Sequence, residues 1–325
     1  MHKRIWITWE NQRRSIVLAK KFGCELHLIE EKGILRYPKS ILKTLRIILN
    51  EKPHILFVQN PSMILAAFAC ICRIILRIPL VVDRHTTFLL NKKDWSSFKV
   101  FIFMVLHRFT IRHADITIVT NNFLATLVED LQGKPFVLPD MIPELQYTRK
   151  EELKGKFNIL LISSFASDEP IIEILEALSL FDKKDVKIYV TGNFNKLDKA
   201  ILNTAPSNVI FTGFLDEQDY INMLFSVDAI MVLTTADACM LCGCYEAISA
   251  GKPLITSEKD VLMDYFTDAV FVENTVTGIA EGIRKVLERR SYHQERIIQL
   301  KARLVPEWED SYHELERKIN GLLEQ

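Results

Sequence analysis

Short apolar runs alternate with amphipathic stretches from one end of the chain to the other, a pattern that predicts an α/β protein with parallel sheets. In the first half the apolar runs fall at residues 5–8, 25–29, 55–58, 80–83, 116–119 and 136–138. Residues 40–49 show the helical period most clearly, with Ile41, Leu42, Leu45, Ile48 and Leu49 spaced as one buried face. The alternation stops at Pro139-Asp140-Met141-Ile142-Pro143 and resumes after a charged stretch, with runs at 158–162, 186–190, 209–211, 229–233, 254–256 and 270–272. The residues from Gly278 onward read as long, charged helices, and no short-period repeat is visible. This organisation predicts two doubly wound Rossmann-like domains, over 1–145 and 156–300, joined by a linker at 146–155 within the irregular stretch 139–155. A C-terminal helix over 301–325 is expected to pack back on the first domain. Two such domains facing a central cleft place function on the loops at the carboxyl ends of their strands.

A chain of 325 residues, 49% of them hydrophobic, is long enough for two cores. Its formal net charge of +0 argues against a general nucleic-acid binder. The opening MHKRIWITWENQRRS lacks the apolar core of a secretory signal, which points to a cytoplasmic protein. Six cysteines in a chain of this size read as reduced thiols. Cys239, Cys242 and Cys244 have a spacing that zinc can use, but no fourth ligand stands nearby, and no metal is expected. The apolar stretch 63–72 is about half the ~20 residues a membrane span needs, so it reads as a buried helix. Residues 97–113 mix a Phe-rich apolar run with Lys99, His107, Arg108, Arg112 and His113, a composition suited to a membrane surface or to a core helix with basic ends.

The segment 237–257, DACMLCGCYEAISAGKPLITS, carries the most specific chemistry. It joins a polar loop to a short helix, expected over Tyr245 to Ala250 and closed by Gly251, and then to a buried strand. Backbone N–H groups near Gly243, Cys244 and Tyr245 then lie at a helix start, where partial positive charge favours phosphate oxygens. Glu246, in the first turn of that helix, is placed to accept hydrogen bonds from a ribose, or simply to complement the helix dipole.

Together with Asn208 to Leu215 and Tyr220 to Asp228, the stretch Gly243 to Ile255 resembles the nucleotide-sugar domain of GT-B fold glycosyltransferases, in particular the large family-4-like group. The resemblance implies that Gly213, Phe214 and Leu215 touch the nucleobase and that Glu246 binds the donor ribose, with UDP the favoured nucleotide. Such families often carry two Glu residues with seven between them. Here the earlier position is Ala238, and neighbouring Asp237 can take its place with a one-residue shift. Residues 162–169 depart as well, because the basic pair that reaches the diphosphate in many relatives is missing. Ser163, Ser164 and Ser167 can donate to phosphates there, with the countercharge supplied by Lys252 or an arginine of the other domain; Ser167 can equally be a helix cap.

In the first half, Asp83 and His85 fall on one side of an extended chain at a strand end. They resemble the Asp-x-His loop in the acceptor domain of a bacterial polysaccharide glycosyltransferase group, with Trp95 following. An Asp can act as base toward an acceptor hydroxyl and a His can orient it or stabilise the departing sugar phosphate, while the plain alternative is an Asp–His bond that fixes a loop. Arg13 and Arg14, after the first strand, are placed to grip a donor or acceptor phosphate or to form a solvated helix face. Gln59 and Asn60, and Thr120 to Asn122, offer neutral groups for sugar hydroxyls or helix caps.

No Asp-x-Asp triplet, GxGxxG, Walker A loop, H-E-x-x-H or G-x-S-x-G occurs. The expectation is therefore a metal-independent transferase with no cofactor, the nucleotide sugar being a substrate and the acceptor a glycan or lipid-linked oligosaccharide. A non-catalytic nucleotide-sugar-binding homologue and a UDP-GlcNAc epimerase of the same fold are the alternatives.

Overall fold

The computed structural model describes residues 2–60, 62–85 and 97–324. The chain divides into two compact units, Met1–Asp140 with Trp308–Gln325, and Met141–Glu307. Trp95 and the loop residues Thr86 and Thr87 lie outside the described residues.

The first unit contains β1 (Arg4–Thr8), α1 (Arg13–Lys21), β2 (Glu25–Leu28), α2 (Arg36–Glu51), β3 (Ile55–Gln59), α3 (Met63–Leu76), β4 (Leu80–Arg84), α4 (Ser97–His113), β5 (Ile116–Val119), α5 (Asn122–Asp130) and β6 (Pro135–Val137). Its strands form one parallel sheet in the order β2-β1-β3-β4-β5-β6. Strands β3, β4 and β5 are buried at every position, which is why they read as unbroken apolar runs rather than as alternation. The order reverses between β1 and β3, and there the Thr8 hydroxyl donates to the Gln59 side-chain oxygen, joining the two strand ends.

Helix α2 is rotated from the face its spacing predicts. Ser40, Thr44 and Ile48 are its buried positions, while Leu42 and Leu49 are 48% and 50% exposed. The reason lies in Trp9, whose indole Nε1 donates to the Thr44 hydroxyl at 3.0 Å inside the core and so selects the Ser40–Thr44–Ile48 stripe.

The second unit contains β7 (Phe157–Ile162), α6 (Ile171–Leu178), β8 (Val186–Thr191), α7 (Lys199–Thr204), β9 (Val209–Gly213), α8 (Glu217–Ser226), β10 (Ala229–Val232), α9 (Cys242–Ala250), β11 (Leu254–Ser257), α10 (Asp260–Tyr265), β12 (Val270–Val272) and α11 (Val276–Glu288). Its parallel sheet runs β12-β11-β10-β7-β8-β9, with the reversal between β7 and β10. One apolar cluster fills each face of this sheet. Residues 148–154 lie along this unit, since the Thr148 and Arg149 amides donate to the Asn222 side chain, Glu151 N to the Ser226 hydroxyl and Lys154 N to the Tyr189 hydroxyl.

The last helix, α12 (Arg290–Leu323), begins in the second unit and ends in the first. Within the first unit, buried Trp308 donates from Nε1 to the Pro139 carbonyl at 2.9 Å and stacks on Tyr312. The Lys21 ammonium sits 4.9 Å from the centre of the Tyr312 ring and pairs with Glu309, while Arg4 pairs with Glu316. Among the described residues no helix is long and apolar enough to cross a membrane. Trp308→Ala removes this anchor and is expected to destabilise the first unit by about 3–5 kcal/mol, read as an earlier transition in chemical denaturation; an unmoved transition contradicts the assignment of residues 308–323 to that unit.

Candidate functional site

In the first unit the strand ends converge on Arg14. This residue, the second of α1, is buried and donates from Nε to Asp83 at 3.0 Å, from Nη1 to Asp140 at 2.5 Å and from Nη2 to the Leu138 carbonyl at 2.9 Å. Burial pulls its pKa down, but the charges of Asp83 and Asp140 win and hold it above the ordinary arginine value. Arg14 is therefore a structural cation whose anions are already inside the protein, and it does not grip a substrate phosphate as the sequence reading allowed. Arg13, one residue earlier, is exposed at the start of α1.

The same contacts change the role of Asp83. Its side chain is 0% exposed and paired with Arg14, and its second oxygen lies 3.1 Å from His85 Nδ1. Burial raises the carboxyl pKa, yet Arg14 and the His85 hydrogen bond outweigh it and keep Asp83 below the usual carboxylate range. An enclosed, stabilised carboxylate is a poor proton acceptor for an acceptor hydroxyl. It is well suited to orient His85 through Nδ1, the ring nitrogen that faces it.

Gln59 and Asn60 extend the same edge. Both are buried, and Asn60 Oδ1 and Nδ2 and Gln59 Nε2 have no hydrogen-bond partner among the described residues. Buried orphan amide groups at a strand end have the hydrogen-bonding capacity that a sugar or an ordered water completes. Asn121, by contrast, caps α5, its side chain accepting from Leu124 N at 3.0 Å.

Arg84, on the opposite side of β4 from Asp83, reaches the His107 ring on α4. Burial lowers Arg84 to about 10, and burial together with the Arg84 charge lowers His107 to about 4, so the imidazole is neutral and accepts from the guanidinium.

In the second unit the loops after β7 and β10 meet at the reversal of strand order. The Asp168 carboxylate accepts from the Thr234 hydroxyl at 2.8 Å, and its backbone carbonyl accepts from Thr235 N. Beside this junction is an anion nest. Ser164 N at 2.9 Å, Phe165 N at 3.0 Å and the hydroxyls of Ser163 and Ser164 all donate to a single carboxylate, that of Glu169. Phe165 takes a left-handed φ of 55°, which turns consecutive amides inward. Gly192 packs against the nest so closely that a Cβ there would meet the Ser163 carbonyl oxygen at 2.1 Å. Ser163 and Ser164 are thus donors to an anion, as expected, but the anion belongs to the protein; Ser167 caps no helix, because α6 starts at Ile171.

The countercharge is not Lys252, which precedes β11 and so lies at the amino ends of the strands. Lys196, in the short turn Phe194–Lys196 after β8, donates from Nζ to the Ser164 carbonyl at 2.7 Å. Lys259, just past β11, pairs with the exposed Asp237 at 2.7 Å. Ala238 is buried, so at that position only Asp237 offers a carboxylate to solvent.

Helix α9 starts at Cys242, three residues before the expected start, which moves Glu246 from the first turn to the second. Glu246 accepts from the Tyr220 hydroxyl of α8 and stays partly exposed. The side chains of Cys244 and Tyr245 point into the core: the thiol faces Thr256 and is pushed up to about 12 by burial, and the Tyr245 ring packs edge-on against Phe266. Both are packing residues, and Cys244 N is used within the turn by the Leu241 carbonyl. Gly243 sits where a Cβ would touch Ile162 and Val232 at 3.0 Å, bringing the helix start close to the sheet. Among the described residues no group of three or more His, Cys, Asp or Glu is gathered to hold a metal. Gly213 ends β9 with φ 74°, Leu215 is partly covered, and Phe214 between them is 89% exposed, a bare aromatic ring at a strand end.

Two family models match the chain, "Glycosyltransferase Family 4" over residues 21–143 and "Glycosyl transferases group 1" over residues 145–303. Similar solved structures include sucrose-phosphate synthase from Thermosynechococcus elongatus, with a TM-score of 0.80 and 12% identity over 98% of this chain and 99% of that one. Anabaena HepE in complex with UDP-glucose gives 0.73 and 13% over 100% of each chain. The catalytic domain of starch synthase IV from Arabidopsis thaliana, bound to ADP and acarbose, gives 0.67 and 9% over 93% and 83%. No curated protein sequence matches the chain.

The His107–Arg84 contact sets a pH dependence of stability. With a folded value of about 4 against the ordinary histidine value of 6.5, the unfolded chain takes up a proton that the folded one refuses as pH falls through this window. Stability is then expected to drop by up to about 3 kcal/mol between roughly pH 6.5 and 4. In His107→Gln, which keeps an acceptor for Arg84, denaturation at a series of pH values should show this slope flattened.

Proposed function

We propose that this chain, which belongs to the GT-B fold glycosyltransferases, moves a sugar from a nucleotide-sugar donor, UDP-linked by preference, to a hydroxyl of a glycan or lipid-linked acceptor. The observation that carries the reading is the anion nest at Ser163–Phe165, set at the strand-order reversal of the second sheet, where doubly wound sheets bind nucleotides. A diphosphate presents the same oxygens to the nest as the Glu169 carboxylate does, with Lys196 beside it. The exposed ring of Phe214 offers a stacking face for the base, and Glu246, backed by Tyr220, accepts from the ribose hydroxyls. Asp237 takes the sugar-facing role that Ala238 cannot.

In the acceptor unit, His85 is the proton acceptor. Arg14 keeps Asp83 charged, Asp83 holds the Nδ1 proton, and Nε2 receives the proton of the attacking hydroxyl as the new glycosidic bond forms and the sugar–phosphate bond breaks, the nucleotide diphosphate leaving with that electron pair. Gln59 and Asn60 supply the hydrogen bonds that hold the acceptor sugar, and Arg13 offers a cation to an acceptor phosphate. Charge on the departing diphosphate is met by backbone donors and lysines, so no metal is required. The protein works on the cytoplasmic side, with a lipid-linked acceptor presented at the membrane surface, where α4 is one candidate contact.

Two outcomes test this. His85→Ala is expected to lower kcat by about 10²–10⁴ while leaving UDP-sugar affinity unchanged in calorimetry; a UDP-sugar that binds the wild-type chain and is never consumed across an acceptor panel would establish the non-catalytic alternative instead. Glu246→Ala should weaken UDP and uridine alike, whereas Glu169→Gln, which removes the resident negative charge, should tighten UDP by about tenfold and uridine not at all. Equal UDP affinity in wild type and Glu169→Gln places the diphosphate elsewhere.

A further inference from the structure

The rotation of α2 turns Ser40, Thr44 and Ile48 toward the core and leaves Leu42 and Leu49 exposed to solvent. Leu35, Lys39, Leu42, Arg46 and Leu49 follow one another at helical spacing along its outer stripe, and all are exposed. Just before the helix Ile34 is 99% exposed and Leu35 59%, forming an apolar tip. Residues 32–50 contain five cations, Lys32, Arg36, Lys39, Lys43 and Arg46, and no carboxylate. The two acids that flank this stretch are both engaged, Glu31 by Lys43 at 2.5 Å and Glu51, the last residue of α2, by Lys3. On the flank toward the edge strand β2, Lys43 and Arg46 line a groove with His27, Leu26, Leu28 and Ile47.

We infer that this outer face of α2, with the Ile34–Leu35 tip, is a docking surface for an anionic lipid membrane, on which the helix lies in the interfacial plane. A dry protein partner would strip water from Lys39 and Arg46 between the leucines. A second copy of the chain meeting this face across a two-fold axis would bring those cations against each other. At a bilayer surface the conflict disappears, because the leucines enter the acyl boundary while the long cationic side chains extend to the lipid phosphates. The sixteen residues of α2 give a contact about 24 Å long.

The test is co-sedimentation of the full chain with vesicles of phosphatidylcholine alone and of phosphatidylcholine with about one-third phosphatidylglycerol. Wild type is expected to bind the anionic vesicles far more than the neutral ones. Lys39→Gln/Arg46→Gln should weaken that binding about thirtyfold. Leu35→Ser/Leu42→Ser should weaken it at least about tenfold, which separates insertion into lipid from attraction to any polyanion. Unchanged melting temperatures in both variants, whose altered side chains are exposed, show that the fold is intact. Binding that ignores lipid charge, serine variants that bind like wild type, or binding abolished only by Met104→Ser/Val105→Ser on α4 each overturn the inference. The experiment contains neither nucleotide nor acceptor, so its failure leaves the transferase reading untouched.

Discussion

The chemistry proposed for the first unit depends on one buried guanidinium. Arg14 ties the start of α1 to the end of β4 through Asp83, and to the chain leaving β6 through Leu138 and Asp140. An unpaired charge in that position would cost several kcal/mol, so the three contacts are mutually required. Their chemical effect reaches one residue further. A carboxylate held below its usual range faces Nδ1 of His85, and in the proposed reaction this turns a loop-fixing contact into a directed one. Arg14 never needs to meet a substrate in order to govern how one is handled.

The second unit reaches a comparable end by different means. Its nest of amides and hydroxyls is complete without ligand, because Glu169 supplies the anion. Four donors aimed at one point repel one another electrostatically unless something negative sits among them, so a resident carboxylate stabilises the loop in its ligand-ready shape. It also sets a threshold, since any phosphate that enters must bind better than a group already tethered there. No Lys or Arg stands in residues 162–169, and Lys196 reaches this loop from the following strand end.

Most of the architecture was legible in the spacing of apolar runs, because strands buried on both faces have almost no other way to be written. Gly251 marks the end of α9 by its left-handed backbone, as its sequence position announces. What periodicity could not reveal were choices made by single polar contacts. The Trp9–Thr44 bond turns α2 away from the face drawn by its leucines, and no count of apolar positions registers an indole thirty-five residues upstream. The start of α9 was hidden for another reason: Cys242 and Gly243 are weak helix formers, held in the helix by packing on Ile162 and Val232. At the sites, residue types were readable and allegiances were not. Asp83 and His85 do meet, whereas Arg14, Ser163 and Ser164 are engaged by Asp83, Asp140 and Glu169, partners that are distant in sequence or, like Glu169, have nothing in their residue type to mark the contact.

Helix α12 gives the chain an unusual order of events. The first unit is begun by residues made before the second unit, yet Trp308, Tyr312 and Glu316, which cover Lys21, Phe22 and Arg4, are made after it. In between, the whole second unit is translated and can fold on its own local contacts. For that interval Phe22, Lys21 and Arg4 lack the aromatic and acidic partners that the helix later brings. Native structure in the earlier-made part of the first unit is thus sealed only once the second unit has been translated, so a chain halted before Trp308 can hold a folded second unit while its first unit still lacks these partners.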